Sequence, residues 1–348
     1  MAALLDRAFY AVGQAARVAW YASHHLAARR IGGPPTRPGS EPQFRITKER
    51  TGGRAFVRSM LDLFERDWAN IEAGLYAAPE TGTNPLRILR RARDFMQDAP
   101  RVNARRRAHG HSEVLTEERR ANYPRYYLQN FHYQTDGWFS EESAERYDFQ
   151  VETLFAGTAE AMRRQALAPV ARALHGRDQR AMRLLDVACG TGGFLAEVKR
   201  NWPRLNAVAL DLSPAYLAKA RAALRGRRNV EFVEANAEEM PLESASQDVV
   251  NCTYLFHELP PKVRAKVAAQ IVRVLKPGGT FVLTDSIQPR DGRGFEALTE
   301  FFPQAFHEPY YESYLDWSAK ETFSKLGLIP RESIPAFLST VHVFEKPK

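Results

Sequence analysis

Along residues 3–30, Leu5, Phe9, Val12, Ala16, Ala19 and Trp20 recur at three- and four-residue steps, while Arg7, Gln14, Arg17 and His24 take the other side. That period predicts an amphipathic helix, with its Ala-rich face expected to pack on the rest of the chain. Gly32-Gly33-Pro34-Pro35 ends the pattern, and residues 32–53 read as a Pro/Gly-rich linker. Two further helices are predicted. The first covers 54–76 with Phe56, Leu61, Phe64, Trp68, Ile71 and Leu75 on one side; the second covers 85–98 with Leu86, Leu89 and Phe95. Seven aromatic residues, from Tyr123 to Phe139, then crowd together, and 141–174 reads as one helical stretch. From Arg183 onward short β-branched runs alternate with helical patterns, the mark of βαβ units and a parallel sheet. The pattern divides the chain into a basic helical extension (1–120), an aromatic-rich helical cap (121–178) and an α/β domain (179–348).

The chemistry begins where the first strand, 183–188, runs into Gly190 and Gly192 and a helix starts near Gly193. Glycine belongs where a ligand approaches the backbone so closely that a Cβ would collide, and a helix N-terminus offers unpaired N–H groups. A second strand, 206–210, ends at Asp211, where a carboxylate suits the two hydroxyls of a ribose. Dinucleotide-binding folds share that layout, but they want a third glycine where this chain has Leu195. Asp186 also stands four residues before the first glycine. A carboxylate there would repel a pyrophosphate and favour the ammonium and sulfonium charges of S-adenosylmethionine.

The segment Asp186-Val-Ala-Cys-Gly-Thr-Gly-Gly193 resembles the first motif of class I S-adenosylmethionine-dependent methyltransferases. Four further blocks follow in that family's order: 210–217, beginning Leu210-Asp211; 233–241, with Asn236-Ala237; 247–250; and 274–280, Val-Leu-Lys-Pro-Gly-Gly-Thr. The resemblance covers 180–345 and is nearest to the small-molecule, quinone-biosynthesis-like branch. It implies an α/β, Rossmann-like sheet of seven mostly parallel strands with an antiparallel C-terminal strand, beside an α-helical N-terminal region. It also implies S-adenosyl-L-methionine as cofactor. On the matching positions Asp186 would meet the methionine ammonium, Ala188, Gly190 and Gly192 would line the methionine portion, and Asp211 would hold the ribose. Leu212 would pack on adenine with Asn236 and Ala237 at its edge. Glu145-Arg146-Tyr147-Asp148 resembles an element that the family places before the first strand, which makes Tyr147 a further cofactor candidate.

Methyl transfer needs an acceptor held in line with the methyl–sulfur bond, and many acceptors need a base. The fourth strand, 248–254, delivers His257 and Glu258 to the carboxyl end of the sheet, where open α/β sheets bind ligands. Either can act as base or orient the acceptor, or cap the next helix. Tyr133, Asp136 and Trp138, and the aromatic run 301–311, are expected to build an acceptor pocket or to pack the extension on the catalytic domain. The leading expectation is methyl transfer to oxygen, carbon or nitrogen of a small apolar or aromatic acceptor.

Charge opens a second reading. Residues 1–120 hold 21 Lys/Arg against 13 Asp/Glu and the remainder 28 of each, so the net +8 lies in the first third. A basic extension raises nucleic-acid methylation, although no RNA-binding module precedes the domain, and the fourth strand leads into Asn251-Cys252-Thr253-Tyr254 instead of an Asn/Asp-Pro-Pro-aromatic run. A non-catalytic cofactor-binding protein is the third reading. Arg101, Arg105, Arg106 and Arg107 beside His109 and His111 read as a phosphate contact or a solvated face; no metal site is expected. Cys189 and Cys252 lie in apolar runs and read as reduced, buried residues. Asp6, Arg7 and Gln14 interrupt any leader-like run, so the cytoplasm is the expected compartment, with peripheral membrane contact through residues 3–30 open to the basic amphipathic helix. Nothing in the sequence sets the oligomeric state.

Overall fold

The computed structural model describes residues 2–31, 45–80 and 85–348. Most of the linker expected over 32–53 lies outside the described residues. The helices are α1 (Ala2–Ile31), α2 (Gly53–Glu72), α3 (Pro85–Ala108), α4 (Glu117–Asn122), α5 (Glu141–Leu154), α6 (Ala159–Arg164), α7 (Leu167–Leu174), α8 (Gly193–Asn201), α9 (Pro214–Ala223), α10 (Pro261–Val274), α11 (Glu296–Ala305), α12 (Tyr311–Leu315) and α13 (Ala319–Lys325). The strands are β1 (Arg183–Val187), β2 (Asn206–Asp211), β3 (Val230–Glu234), β4 (Gln247–Thr253), β5 (Leu275–Ser286), β6 (Ile329–Ala336) and β7 (Ser339–Glu345).

Two compact units interleave along the chain. The first gathers 1–60, 78–160 and 289–309; the second gathers 61–77, 161–288 and 310–348.

The second unit carries one sheet in the order β3-β2-β1-β4-β5-β7-β6. Strands β1 to β5 run parallel and β7 pairs antiparallel with both β5 and β6, as the resemblance implies. β1 and β4 are almost wholly buried, which is why they read as continuous apolar runs and not as alternating ones. β5 starts at Leu275, earlier than the expected Thr280, because Lys276–Gly279 bulge out between the pairs Gln247↔Leu275 and Val249↔Thr280. Local chemistry sets the helix starts that frame the carboxyl edge. Ser213 Oγ accepts from the Tyr216 N–H at the start of α9, with Pro214 following, and α10 opens on Pro261. Phe281, Phe323 and Phe344 fill the core behind the sheet, their ring centres 4.7 to 5.8 Å apart.

Residues 61–77 are fixed to this unit by a buried ion pair. Asp67 is fully buried; Arg164 reaches its Oδ2 at 2.5 Å through a terminal guanidinium nitrogen and its Oδ1 at 3.2 Å through Nε, and the Tyr76 hydroxyl donates to Oδ1 at 2.7 Å.

In the first unit α1, α3 and α5 meet at buried Phe149, whose ring lies 5.0 Å from Tyr21 and 5.3 Å from Phe95. The single helix expected over 141–174 is three helices. α5 ends because Ala156 (φ 49°) and Gly157 (φ 81°) turn left-handed and the Gly157 N–H bonds back to the Glu152 carbonyl. A Cβ on Gly157 would stand 2.9 Å from the Arg17 carbonyl oxygen, so α1 itself demands the glycine. The helix expected over 85–98 continues through the arginine cluster to Ala108.

Removing one member of the Asp67–Arg164 pair strands a buried charge. Asp67→Ala should cost about 3–5 kcal/mol of unfolding free energy, whereas an exposed control, Glu80→Ala, should change it by less than about 0.5 kcal/mol. Urea titration followed by circular dichroism checks both; equal midpoints would show the pair is not the anchor.

Candidate active site

The glycine turn lies between β1 and α8, and three alternate residues in it are left-handed: Ala188 (φ 55°), Gly190 (φ 54°) and Gly192 (φ 80°). The two glycines serve different ends. A Cβ on Gly190 would enter open space, so this is the position that leaves a cradle above the turn. A Cβ on Gly192 would stand 3.0 Å from the Ala220 Cβ, so this glycine lets α8 and α9 approach. The turn is tied down by Asp211 at the end of β2, whose Oδ2 accepts from the Gly190 N–H and whose Oδ1 accepts from the Ser213 N–H, both at 2.8 Å. Each oxygen keeps a lone pair for a hydroxyl. Burial holds the Asp211 carboxyl above its usual range.

Asp186 on β1 is 2 % exposed and faces its register partner Asn251 on β4, whose Nδ2 donates to Asp186 Oδ1 at 2.7 Å. Burial pushes the Asp186 carboxyl up to about 7, the Asn251 amide and Arg163 pulling the other way. Asn251 Oδ1 is buried without a hydrogen bond. A raised carboxylate beside an unsatisfied amide oxygen is a site with room for a cationic donor, and an ammonium group supplies both charge and N–H. The residues present therefore fit S-adenosylmethionine.

Arg163, on α6, is a member of the site that the sequence reading missed. Its Nη1 lies 3.0 Å from where a Cβ on Gly193 would be, at the N-terminus of α8. Guanidinium and helix N-terminus together suit a carboxylate. The other expected cofactor residues of this unit lie along the same edge. Leu212 follows β2, half-buried; Ala237 is half-buried after β3; and Asn236 Oδ1 accepts from the Glu238 N–H at 2.9 Å, which shapes that loop.

His257 stands in a 3-10 turn, residues 256–258, just past β4. Its Nδ1 is 2.5 Å from Oδ1 of Asp285, the penultimate residue of β5. Asp285 is itself fixed by the Phe256 N–H at 2.9 Å and the Ser286 N–H at 2.7 Å. A carboxylate only accepts, so Nδ1 carries a proton and Nε2 is the ring nitrogen turned away from Asp285. Glu258 Oε1 lies 3.6 Å from that Nε2. Tyr254, Tyr311 and Tyr314 set their rings edge-on around the imidazole, 6.0 to 6.3 Å between centres. Arg264, 1 % exposed, holds the assembly: it donates to the carbonyls of Phe256, Tyr310 and Ser313 at 2.7 to 2.9 Å. Burial lowers its guanidinium to about 10.

Tyr133 and Tyr147 belong to the first unit. Tyr133 is buried in a left-handed turn (φ 56°) and its carbonyl accepts from Arg105; Tyr147, on α5, lies edge-on to Trp138 at 5.6 Å. The expected aromatic run 301–311 is divided. Phe302, Phe306 and His307 pack against His132 and Tyr133 in the first unit, while Tyr311 faces His257 in the second. The arginine cluster has internal partners: Arg105 pairs with Glu113 at 2.6 Å, and Arg106 lies 4.9 Å over the Phe306 ring. His132 Nε2 lies 2.9 Å from Glu308 Oε1, in the same unit.

Cofactor binding is thereby linked to the protonation of Asp186. Below pH 7 the carboxyl is protonated in the free protein and must release its proton to meet a cation; above 7 it is already charged. Affinity for S-adenosylmethionine should thus be flat above pH 7 and weaken by up to about tenfold per unit below it. The stability of the free protein runs the other way, because a carboxyl raised on folding favours the fold at low pH and loses that contribution as pH rises through about 7. Calorimetric titration between pH 5.5 and 8.5 checks this, with proton release read from buffers of different ionisation enthalpy. Gly190→Val should abolish binding and leave the far-ultraviolet spectrum unchanged; unchanged affinity would remove the cofactor from this turn.

Residues 184–279 match the family model described as a methyltransferase domain. The demethylmenaquinone methyltransferase of Deinococcus radiodurans is 34% identical over 150 residues, which are 43% of this chain and 59% of that protein. The enzyme of the same name from Lactococcus lactis is 31% identical over 146 residues, 41% of this chain and 54% of its own. The chain thus spans little more than half the length of these curated relatives. Over 99% of its length it follows the fold of the CurJ carbon methyltransferase, 95% of which is covered, with a TM-score of 0.50 and 14% identity. Residues 184–279 thus resemble a methyltransferase domain, and the residues at the glycine turn fit S-adenosylmethionine.

Proposed function

We propose that this protein methylates a small, lipophilic or aromatic acceptor at a position made nucleophilic by loss of a proton to His257. The observation that carries the reading is the His257–Asp285 pair, fixed in the same unit as the glycine turn and walled by three tyrosines. When bound, the cofactor supplies a methyl group on an activated sulfonium. Everything else falls to side chains. Asp211 accepts the ribose hydroxyls while holding the turn, Asp186 and Asn251 receive the ammonium, and Arg163 receives the methionine carboxylate. Leu212, Asn236 and Ala237 border the adenine.

Asp285 holds the imidazole in the tautomer that points Nε2 at the acceptor and stabilises the imidazolium once the proton arrives. The acceptor proton passes to Nε2 of His257, and the cofactor, where bound, would supply the methyl group to the position so exposed. Glu258, with Oε1 3.6 Å from Nε2, stabilises the imidazolium once the proton has arrived. Tyr254, Tyr311 and Tyr314 favour a flat, apolar acceptor and keep water from the methyl group. The names of the two relatives support a demethylated quinol as the acceptor to try first, its ring carbon acidified by the neighbouring hydroxyls. Tyr147 keeps its role on the resemblance alone, and Tyr133 its place in an acceptor pocket on the aromatic character of its segment alone. The arginine pairings in the first unit lend no support to a nucleic-acid substrate. Peripheral membrane contact through residues 3–30, and with it a site on the cytoplasmic side of a membrane, has only the basic amphipathic pattern of the sequence behind it.

Steady-state formation of S-adenosylhomocysteine from a water-soluble demethylated naphthoquinol tests the reading. His257→Ala should lower kcat by about 10²–10⁴-fold with the cofactor dissociation constant unchanged. Asp285→Asn should lose a comparable factor, because an amide can hold the wrong tautomer. Wild-type rates in both variants would reject the base; full activity on RNA but none on the quinol would reject the acceptor class.

A further inference from the structure

α1 is inside out relative to its sequence. The residues that face its own unit are polar or aromatic, Trp20 being the one large member of the expected apolar face that stays half-buried. Tyr10 and Gln14 are buried, Arg17 bridges Glu152 and Glu160 at 3.0 Å each, and His24 packs on Phe149 at 5.4 Å. The Ala-rich face expected to pack is turned outward: Leu5, Phe9, Val12 and Leu26 are 54%, 73%, 68% and 55% exposed. Leu5, Val12, Ala19 and Leu26 recur every seven residues, with Ala8, Ala15 and Ala22 between them. That is an uninterrupted a/d repeat over three heptads on the side away from its own unit, the seam that a second helix fills. Among the described residues nothing covers this row, and exposed apolar rows of this kind mark interaction sites.

We propose that this face is a self-association surface, in which α1 pairs antiparallel with α1 of a second copy about a two-fold axis near Ala15 and Ala16. The sequence is self-complementary in that direction. Leu5 meets Leu26 of the second copy, Val12 meets its Ala19 and Phe9 meets its Ala22, so most large residues oppose small ones and the contact is isologous. A parallel pair would stack Phe9 on Phe9 and Ala15 on Ala15, which crowds one layer and leaves a gap in the next. The antiparallel pair also opposes the two helix dipoles and brings Asp6 within a turn of Arg29 of the second copy. Alanines at the inner positions let the axes approach to about 8 Å.

Charge placement selects a second copy over a lipid surface. A helix lying on an anionic membrane flanks its apolar face with cations. Here the half of α1 centred on Val12 carries no charged residue between Leu5 and Ala27, and Arg17 is committed to two glutamates on the inward side. The proposal is independent of the methyl-transfer reading, since cofactor binding is measured separately.

Sedimentation equilibrium of the full chain in the micromolar range tests it. Wild type should sediment at twice 39.5 kDa, and Val12→Glu at the single-chain mass with unchanged circular dichroism and cofactor affinity. Oxidised Ala15→Cys should form a covalent dimer, as the two residues flank the axis, whereas Val12→Cys should not; both native cysteines are buried. A wild-type monomer at all concentrations overturns the proposal, as does a Val12→Glu dimer or crosslinking through Val12→Cys. Monomeric protein that pellets with phosphatidylglycerol vesicles, but not with phosphatidylcholine vesicles, also overturns it and assigns the face to lipid.

Discussion

The second unit depends on satisfying buried carboxyl groups at the desolvated end of a parallel sheet. Asp186, Asp211 and Asp285 stand at the carboxyl ends of β1, β2 and β5, where an isolated ionised group would be costly. Each is met by N–H donors: an amide for Asp186, two backbone N–H groups for Asp211, and two backbone N–H groups and an imidazole for Asp285. The donors are unequal. Asp186 has the single amide and is the carboxyl driven to about 7. The strongest demand for a positive partner therefore falls where a cationic cofactor would sit.

The same division of donors separates the two glycines. Gly192 is required by the approach of α9, a contact any βα unit needs. Gly190 is free of such packing, so its missing Cβ serves the space above the turn, and its N–H is given to Asp211. A carboxylate expected to hold a ribose is thus also the strut of the loop that would hold the methionine. Losing it would disturb both halves of the cofactor site together, which is why one residue at the end of β2 reports on the whole pocket.

What could be read from the chain was local in sequence. The strand–glycine–helix turn, the mostly parallel sheet that the five ordered motifs imply and the acid at the end of β2 all depend on short-range spacing, and the sheet formed accordingly. Arg163, Asp285 and Arg264 were not legible. Asp285 reaches His257 across 28 residues and Arg264 reaches Tyr310 across 46, and no spacing rule marks either. The stretch 141–174 misled because helical periodicity continues across Gly157, whereas the break there is imposed by α1 passing too close for a Cβ.

α1 shows the limit of periodicity most clearly. A three- to four-residue repeat of apolar side chains distinguishes two faces but carries no sign: it says that the sides differ, not which one is buried. Burial of the polar side becomes favourable only when partners are waiting, and here Glu152, Glu160 and the Gly157 carbonyl receive Arg17. Together they hold its guanidinium more firmly protonated than usual despite burial. Once Arg17 is committed inward, geometry leaves no choice for the residues half a turn away. Leu5, Val12 and Leu26 must face outward because Tyr10, Gln14, Arg17 and Tyr21 face in. The inversion is then a consequence of one part-buried ion-pair network, which turns an apolar seam outward on the opposite side of the helix.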